Sequence, residues 1–123
     1  MTRFAGYAAL FDAPDRGGDV VRRGAFAGAG AVPLLWQHRG APVGRIEAVA
    51  EDARGLRVIG CVEDAELARL VAAGAVAGLS FGYRVKASQQ GARRELTALE
   101  LVEVSLVAQP MQPLARVHAV EPG

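Results

Sequence analysis

The 123-residue chain has a single cysteine, Cys61, set in an apolar run. One thiol cannot form an internal disulfide or supply a cysteine zinc cluster, and the expected setting is a reducing compartment. The two histidines, His38 and His118, lie far apart with no HExxH spacing, so no metal or cofactor signature is present. No stretch approaches the ~18 uninterrupted apolar residues of a membrane span, and no continuous apolar segment with a cleavage site follows Arg3. There is also no excess of charge of one sign. The 14 basic and 13 acidic side chains leave a net +1 and are interspersed, which argues against nucleic acid as a direct partner. What is present is 51% hydrophobic and 22% charged residues, the composition of one soluble domain over 1–123. A chain of this size hides roughly two thirds of its unfolded surface, enough for one core but not for a large multilayer α/β enzyme.

Short strands separated by glycine and proline dominate, so the expected class is mostly β with a few helices. Arg3–Phe11 reads as a strand running into the turn residues of DAPDRGGD. Val20-Val21 resumes a short strand, and GAFAGAG is too glycine-rich for more than a turn of helix. VPLLWQH (32–38) and PVGRIEAV (42–49) read as strands joined by a hairpin at Gly40 and Pro42. LRVIGCV (56–62) alternates. Glu63–Ala73 places Leu67, Leu70 and Val71 at helical spacing, with Gly74 as the C-terminal cap. Residues 76–87 and 94–108 read as further strands, and 109–123 as a proline-containing tail. Trp36 is assigned to the core, and Asp12, Asp15 and Asp19 to turns, because they lack EF-hand spacing.

Three polar residues stand in positions suited to chemistry. His38 closes an apolar strand before a glycine turn, where a rigid framework can present its ring to a cleft; a plain strand-end histidine looks the same. Ser80 lies in Gly78-Leu79-Ser80-Phe81-Gly82, a literal G-x-S-x-G. The helix precedes this serine and a strand follows it, the reverse of the α/β-hydrolase elbow, and a strand serine bonded to nearby backbone fits as well. Glu103, within LELVEVSLV, needs a partner if buried; alternation could equally send Glu103 and Ser105 to solvent with Val102, Val104 and Leu106 inside. In a regular strand Glu100 lies on the opposite face from Glu103. A second assignment keeps Ser80 and Glu103 but takes His118 as base, the order of an esterase-like hydrolase.

Four segments in order, GYAALFDAPDRGGDVVRRGAF, VPLLWQH, GLSFGYR and LELVEVSLVAQPMQPLARV, resemble the prohead serine proteases of tailed bacteriophages, related in fold to herpesvirus assemblin. The resemblance implies a small antiparallel β-barrel, Ser80 as nucleophile, His38 as general base and Glu103 as third member. It leaves the oxyanion hole open between amides near Phe81-Gly82 and a segment near Arg116. It further implies an endopeptidase that processes the major capsid protein precursor, its scaffold segment and itself, inside the assembling procapsid in the host cytoplasm. A homo-oligomer, a dimer by analogy with assemblin, is the implied active form. The abundance of Ala, Gly and Arg points to a GC-rich host, with a prophage or gene transfer agent as source. The competing reading from a different class is a non-catalytic β-barrel that binds capsid or scaffold protein.

Overall fold

The computed structural model describes residues 1–123. The elements are β1 (Thr2–Leu10), β2 (Val20–Val21), β3 (Val32–Trp36), β4 (Arg39–Glu51), β5 (Gly55–Val62), α1 (Ala65–Ala72), β6 (Gly78–Gln90), β7 (Arg94–Val107) and β8 (Val117–Pro122). The mostly-β expectation holds, with one helix rather than several. Strand order is β2-β7-β3-β4-β5-β1-β8, with β6 on the other edge of β7. The sheet is mixed rather than purely antiparallel, because β2 and β3 both run parallel to β7.

Nor does the sheet close as a barrel through a full ladder. Beyond β6 there is one bridge, Gly78 to Arg116. It is flanked by backbone bonds from Leu79 N to Ala115 O (2.9 Å) and from Val117 N to Ala77 O (2.8 Å). From Ser80 onward β6 pairs only with β7. Within the expected tail, residues 117–122 form β8, paired antiparallel with β1.

Alternation builds the core. Phe4 and Ala8 of β1, Leu34 of β3, Ile46 of β4, Leu56 and Val58 of β5, and Leu79, Val104 and Leu106 of β6 and β7 meet inside. The helix adds Leu67, Ala68 and Val71. Leu70, by contrast, is 39% exposed, and Trp36, expected in the core, is 36% exposed. Both line a groove of about 370 Å³ with Val43, Asp64, Glu66 and Leu67, because α1 turns only a narrow stripe toward the sheet.

The ends of α1 follow the sequence. Asp64 Oδ2 accepts from Leu67 N at 2.9 Å, and Gly74, at φ +79°, ends the helix with Ala75 N on Leu70 O and Gly74 N on Val71 O, a Schellman closure. Asp64→Ala is expected to cost about 1 kcal/mol of stability, read as a lower urea midpoint at unchanged slope. Asp15 is a turn former, its Oδ1 accepting from Gly17 N and Asp19 N.

Candidate active site

The β3–β4 hairpin turns at Gln37-His38, not at Gly40 and Pro42. Trp36 pairs with Arg39, and Gln37 and His38 both have positive φ, 54° and 61°. This is the backbone signature of a two-residue type I′ turn, normally made by Asn-Gly because side chains disfavour that region. The surrounding structure holds the strained pair. Gln37 N donates to Leu106 O at 3.0 Å, Ala108 N donates to Gln37 Oε1 at 2.8 Å, and His38 N donates to Ser105 Oγ at 3.0 Å. The turn is thus fastened along β7, with the imidazole above it 41% exposed.

Glu103 meets that imidazole because it shares a face of β7 with Ser105, two residues on, which holds the His38 amide; the strand is irregular just before it. Gly82 pairs with Glu103 but Tyr83 pairs with Leu101, so Val102 is a bulge and is 40% exposed instead of inside. The bulge reverses the parity of everything before it. Glu100 therefore shares the Glu103 face rather than opposing it; it stays at the surface, 3.4 Å from Arg84. Glu103 is 8% exposed and Ser105 fully buried, so the solvent-facing reading of both is overturned. Glu103 Oε1 lies 2.5 Å from His38 Nδ1, and Ser105 Oγ donates to Glu103 Oε2 at 2.7 Å. The Glu103 hydrogen bond holds the His38 pKa above the ordinary histidine value; partial burial opposes it and the carboxylate charge adds to it.

Ser80 stands opposite Ser105 on the neighbouring strand, so the two side chains share the face that carries Glu103. The glycines of the G-x-S-x-G run lie on the same face and make room. A Cβ on Gly82 would sit 2.3 Å from Glu103 Oε1, and one on Gly78 would sit 2.6 Å from Val107 O. The motif is thus a strand whose glycines admit the Glu103 side chain at Gly82 and the Val107 backbone at Gly78, not a strand-to-helix elbow.

Ser80 itself is 5% exposed. Its hydroxyl makes no hydrogen bond to neighbouring backbone or to His38, whose Nε2 is likewise unengaged. A cavity of about 80 Å³ flanks it, lined by Ala8, Asp15, Phe81, Tyr83, Met111 and Gln112 among others. Arg116, bridged to Gly78, lies two strand positions from Ser80, so both regions considered for an oxyanion hole border the serine. His118 is elsewhere: on β8 its ring packs 5.7 Å from that of Tyr7. Both oxygens of Glu103 are taken by His38 and Ser105, so the geometry does not assemble Ser80, Glu103 and His118. Sequence reasoning passed over Ser105 and Gln37; their signal was position, two residues after Glu103 on an alternating strand and directly before His38.

The fold is that of the herpesvirus proteases. The protease of KSHV, solved with a hexapeptide phosphonate inhibitor, superposes with a TM-score of 0.63 at 12% identity, covering 98% of this chain and 64% of that one. The varicella-zoster virus protease gives 0.60 at 18% identity, covering 99% and 64%. Residues 1–122 match the caudovirus prohead serine protease family, and the chain belongs to it. It is 35% identical over 94 residues to the prohead protease of Enterobacteria phage HK97, an alignment covering 67% of this chain and 42% of that protein. The chain thus spans about two fifths of that relative's length.

Proposed function

We propose that this protein is a serine endopeptidase of capsid maturation, with Ser80 as nucleophile, His38 as general base and Glu103 orienting the base. The observation that carries the reading is His38, fixed through Nδ1 by a buried carboxylate on β7 while Nε2 is free, with Ser80 presented on the same face by β6, the next strand beyond β7. With its proton on Nδ1, the imidazole offers the Nε2 lone pair as acceptor.

Ser80 Oγ attacks the scissile carbonyl as Nε2 takes its proton, and the resulting imidazolium returns that proton to the leaving amine. Water, deprotonated by the same nitrogen, then releases the acyl group. The Ser80–His38 hydrogen bond forms on substrate binding, as catalytic contacts that are open in a free enzyme often do. In this reading the substrates are the major capsid protein precursor with its scaffold segment, and the protease itself, within the procapsid. A dimer as the active form belongs to the same reading, and sedimentation alongside activity tests it.

A fluorophosphonate reports directly on an activated serine. Labelling of the unaltered protein is expected at Ser80, mapped by mass spectrometry, to vanish in His38→Ala and to persist in His118→Ala. The unbonded Ser80 hydroxyl favours one rival, the non-catalytic binding module. Absence of labelling at concentrations that drive self-association would establish that rival instead.

A further inference from the structure

One group in this cluster has no part in the proton transfers of the proposed mechanism, yet both of its partners depend on it. Ser105 is fully buried, and its Oγ accepts from the backbone N–H of His38 (3.0 Å) while donating to Glu103 Oε2 (2.7 Å). Glu103 Oε1 then meets His38 Nδ1, closing a ring through the backbone and side chain of one residue. A hydroxyl has a single proton, so the ring has a fixed direction. The amide of His38 can only donate, which commits the Ser105 proton to Glu103.

Two consequences follow. Ser105 cannot serve as a nucleophile, because its proton is engaged and its oxygen is sealed from solvent, although it faces Ser80 across the ladder. Its bonds also act at the two places where the site is least secure. One is a turn with two non-glycine residues at positive φ, a strained backbone that persists only where its surroundings over-determine it. The other is a carboxylate whose second oxygen would otherwise be buried without a partner.

We infer that Ser105 is a positioning residue for the reaction: its hydroxyl couples the His38 turn to the Glu103 carboxylate, so that the imidazole is held with Nδ1–H on Glu103 and Nε2 toward Ser80. The inference rests on the proposed roles of Ser80, His38 and Glu103, but its structural half can be read without activity.

The test uses Ser105→Ala, the size-matched Ser105→Cys with its weak thiol donor, and Ser105→Thr, which keeps a hydroxyl. The first readout is the His38 Nδ1–H proton in NMR spectra of the whole protein. It is expected as a slowly exchanging downfield signal in the unaltered protein and in Ser105→Thr, and to be lost to exchange in Ser105→Ala and Ser105→Cys. The second is the rate of fluorophosphonate labelling at Ser80. A fall of at least tenfold is expected in Ser105→Ala and Ser105→Cys, with Ser105→Thr closer to the unaltered rate, and no further fall when Ser105→Ala is added to Glu103→Gln, because both changes break one unit. A purely structural serine would give an additive loss. Retention of the Nδ1–H signal in a folded Ser105→Cys, or additive losses in the double variant, overturns the inference. If the unaltered protein fails to label at all, the proposed function falls, while the NMR comparison still decides whether Ser105 holds the imidazole.

Discussion

Glu103→Gln is expected to slow acylation of Ser80 by on the order of 10³–10⁴-fold and to move the rise of the rate with pH to lower pH. The size follows from the tautomer rather than from charge alone. Ser105 offers its proton to the side chain at position 103, so a glutamine satisfies it by turning its carbonyl oxygen that way. The amide nitrogen then faces His38 Nδ1 and donates to it, which puts the imidazole proton on Nε2, where the lone pair is needed. The sign of the pH effect follows from the causes of the His38 shift. Its hydrogen bond to Glu103 and the carboxylate charge raise its pKa, and burial lowers it. Acylation needs neutral His38, so in the unaltered protein the rate climbs through a midpoint above about 6.5. Removing both raising causes leaves burial alone, and the midpoint drops to that value or below. Stability runs the other way. The contribution of the His38–Glu103 pair is present in full below about pH 6.5 and is lost as pH rises through the folded-state midpoint. The protein therefore works best where this pair no longer stabilises it. Labelling rates from pH 5 to 9 for both proteins check the prediction; an unmoved midpoint in Glu103→Gln would refute it.

How much of this was legible in the sequence depends on how local the deciding interaction is. The strand positions before the expected tail followed from alternation, and α1 from its cap residues, because those patterns are set within a few neighbours. The pairing of His38 with Glu103 was within reach of resemblance, but the layout of β7 before Glu103 was not. Parity along LELVEVSLV put Glu100 and Glu103 on opposite faces and Val102 inside; the bulge at Val102 overturned both, and a bulge is chosen by the partner strand, which parity within one segment cannot see. The turn failed for a related reason. Gly40 is the better local turn former, but the contacts of Gln37 and His38 with Leu106, Ser105 and Ala108 outweigh local preference and place non-glycine residues at positive φ. At the bulge and at the turn, the long-range contact that overrode local rules lies in the candidate site.

The two glycines around Ser80 give the second large effect, and they are expected to fail in opposite ways. At Gly82 an added methyl meets Glu103 Oε1 at 2.3 Å, Cδ at 2.9 Å and Cγ at 3.0 Å. These atoms belong to a flexible side chain that can swing away. Gly82→Ala should therefore fold, since the gain from replacing glycine in a strand, about 0.5–1 kcal/mol, partly offsets the buried groups left unpaired, about 1–3 kcal/mol. The displaced carboxylate leaves His38 Nδ1 and Ser105 Oγ, so labelling of Ser80 should fall about as far as in Glu103→Gln, with the His38 midpoint lowered and no further loss when the two changes are combined. At Gly78 the methyl meets the Val107 carbonyl at 2.6 Å and Pro110 Cδ at 3.0 Å. That carbonyl is backbone paired with Gly78 at the end of the β6–β7 ladder, where Gly78 also bridges Arg116, so it and the proline ring cannot yield without separating β6 from both neighbours. Gly78→Ala should therefore lose stability first, and activity only as the folded fraction falls. Thermal melts beside labelling rates separate the two: Gly82→Ala folded but nearly inert, Gly78→Ala unstable but active per folded molecule. A fully active Gly82→Ala would mean that Glu103 does not need its place across that glycine, and the role proposed for its carboxylate would fail with it.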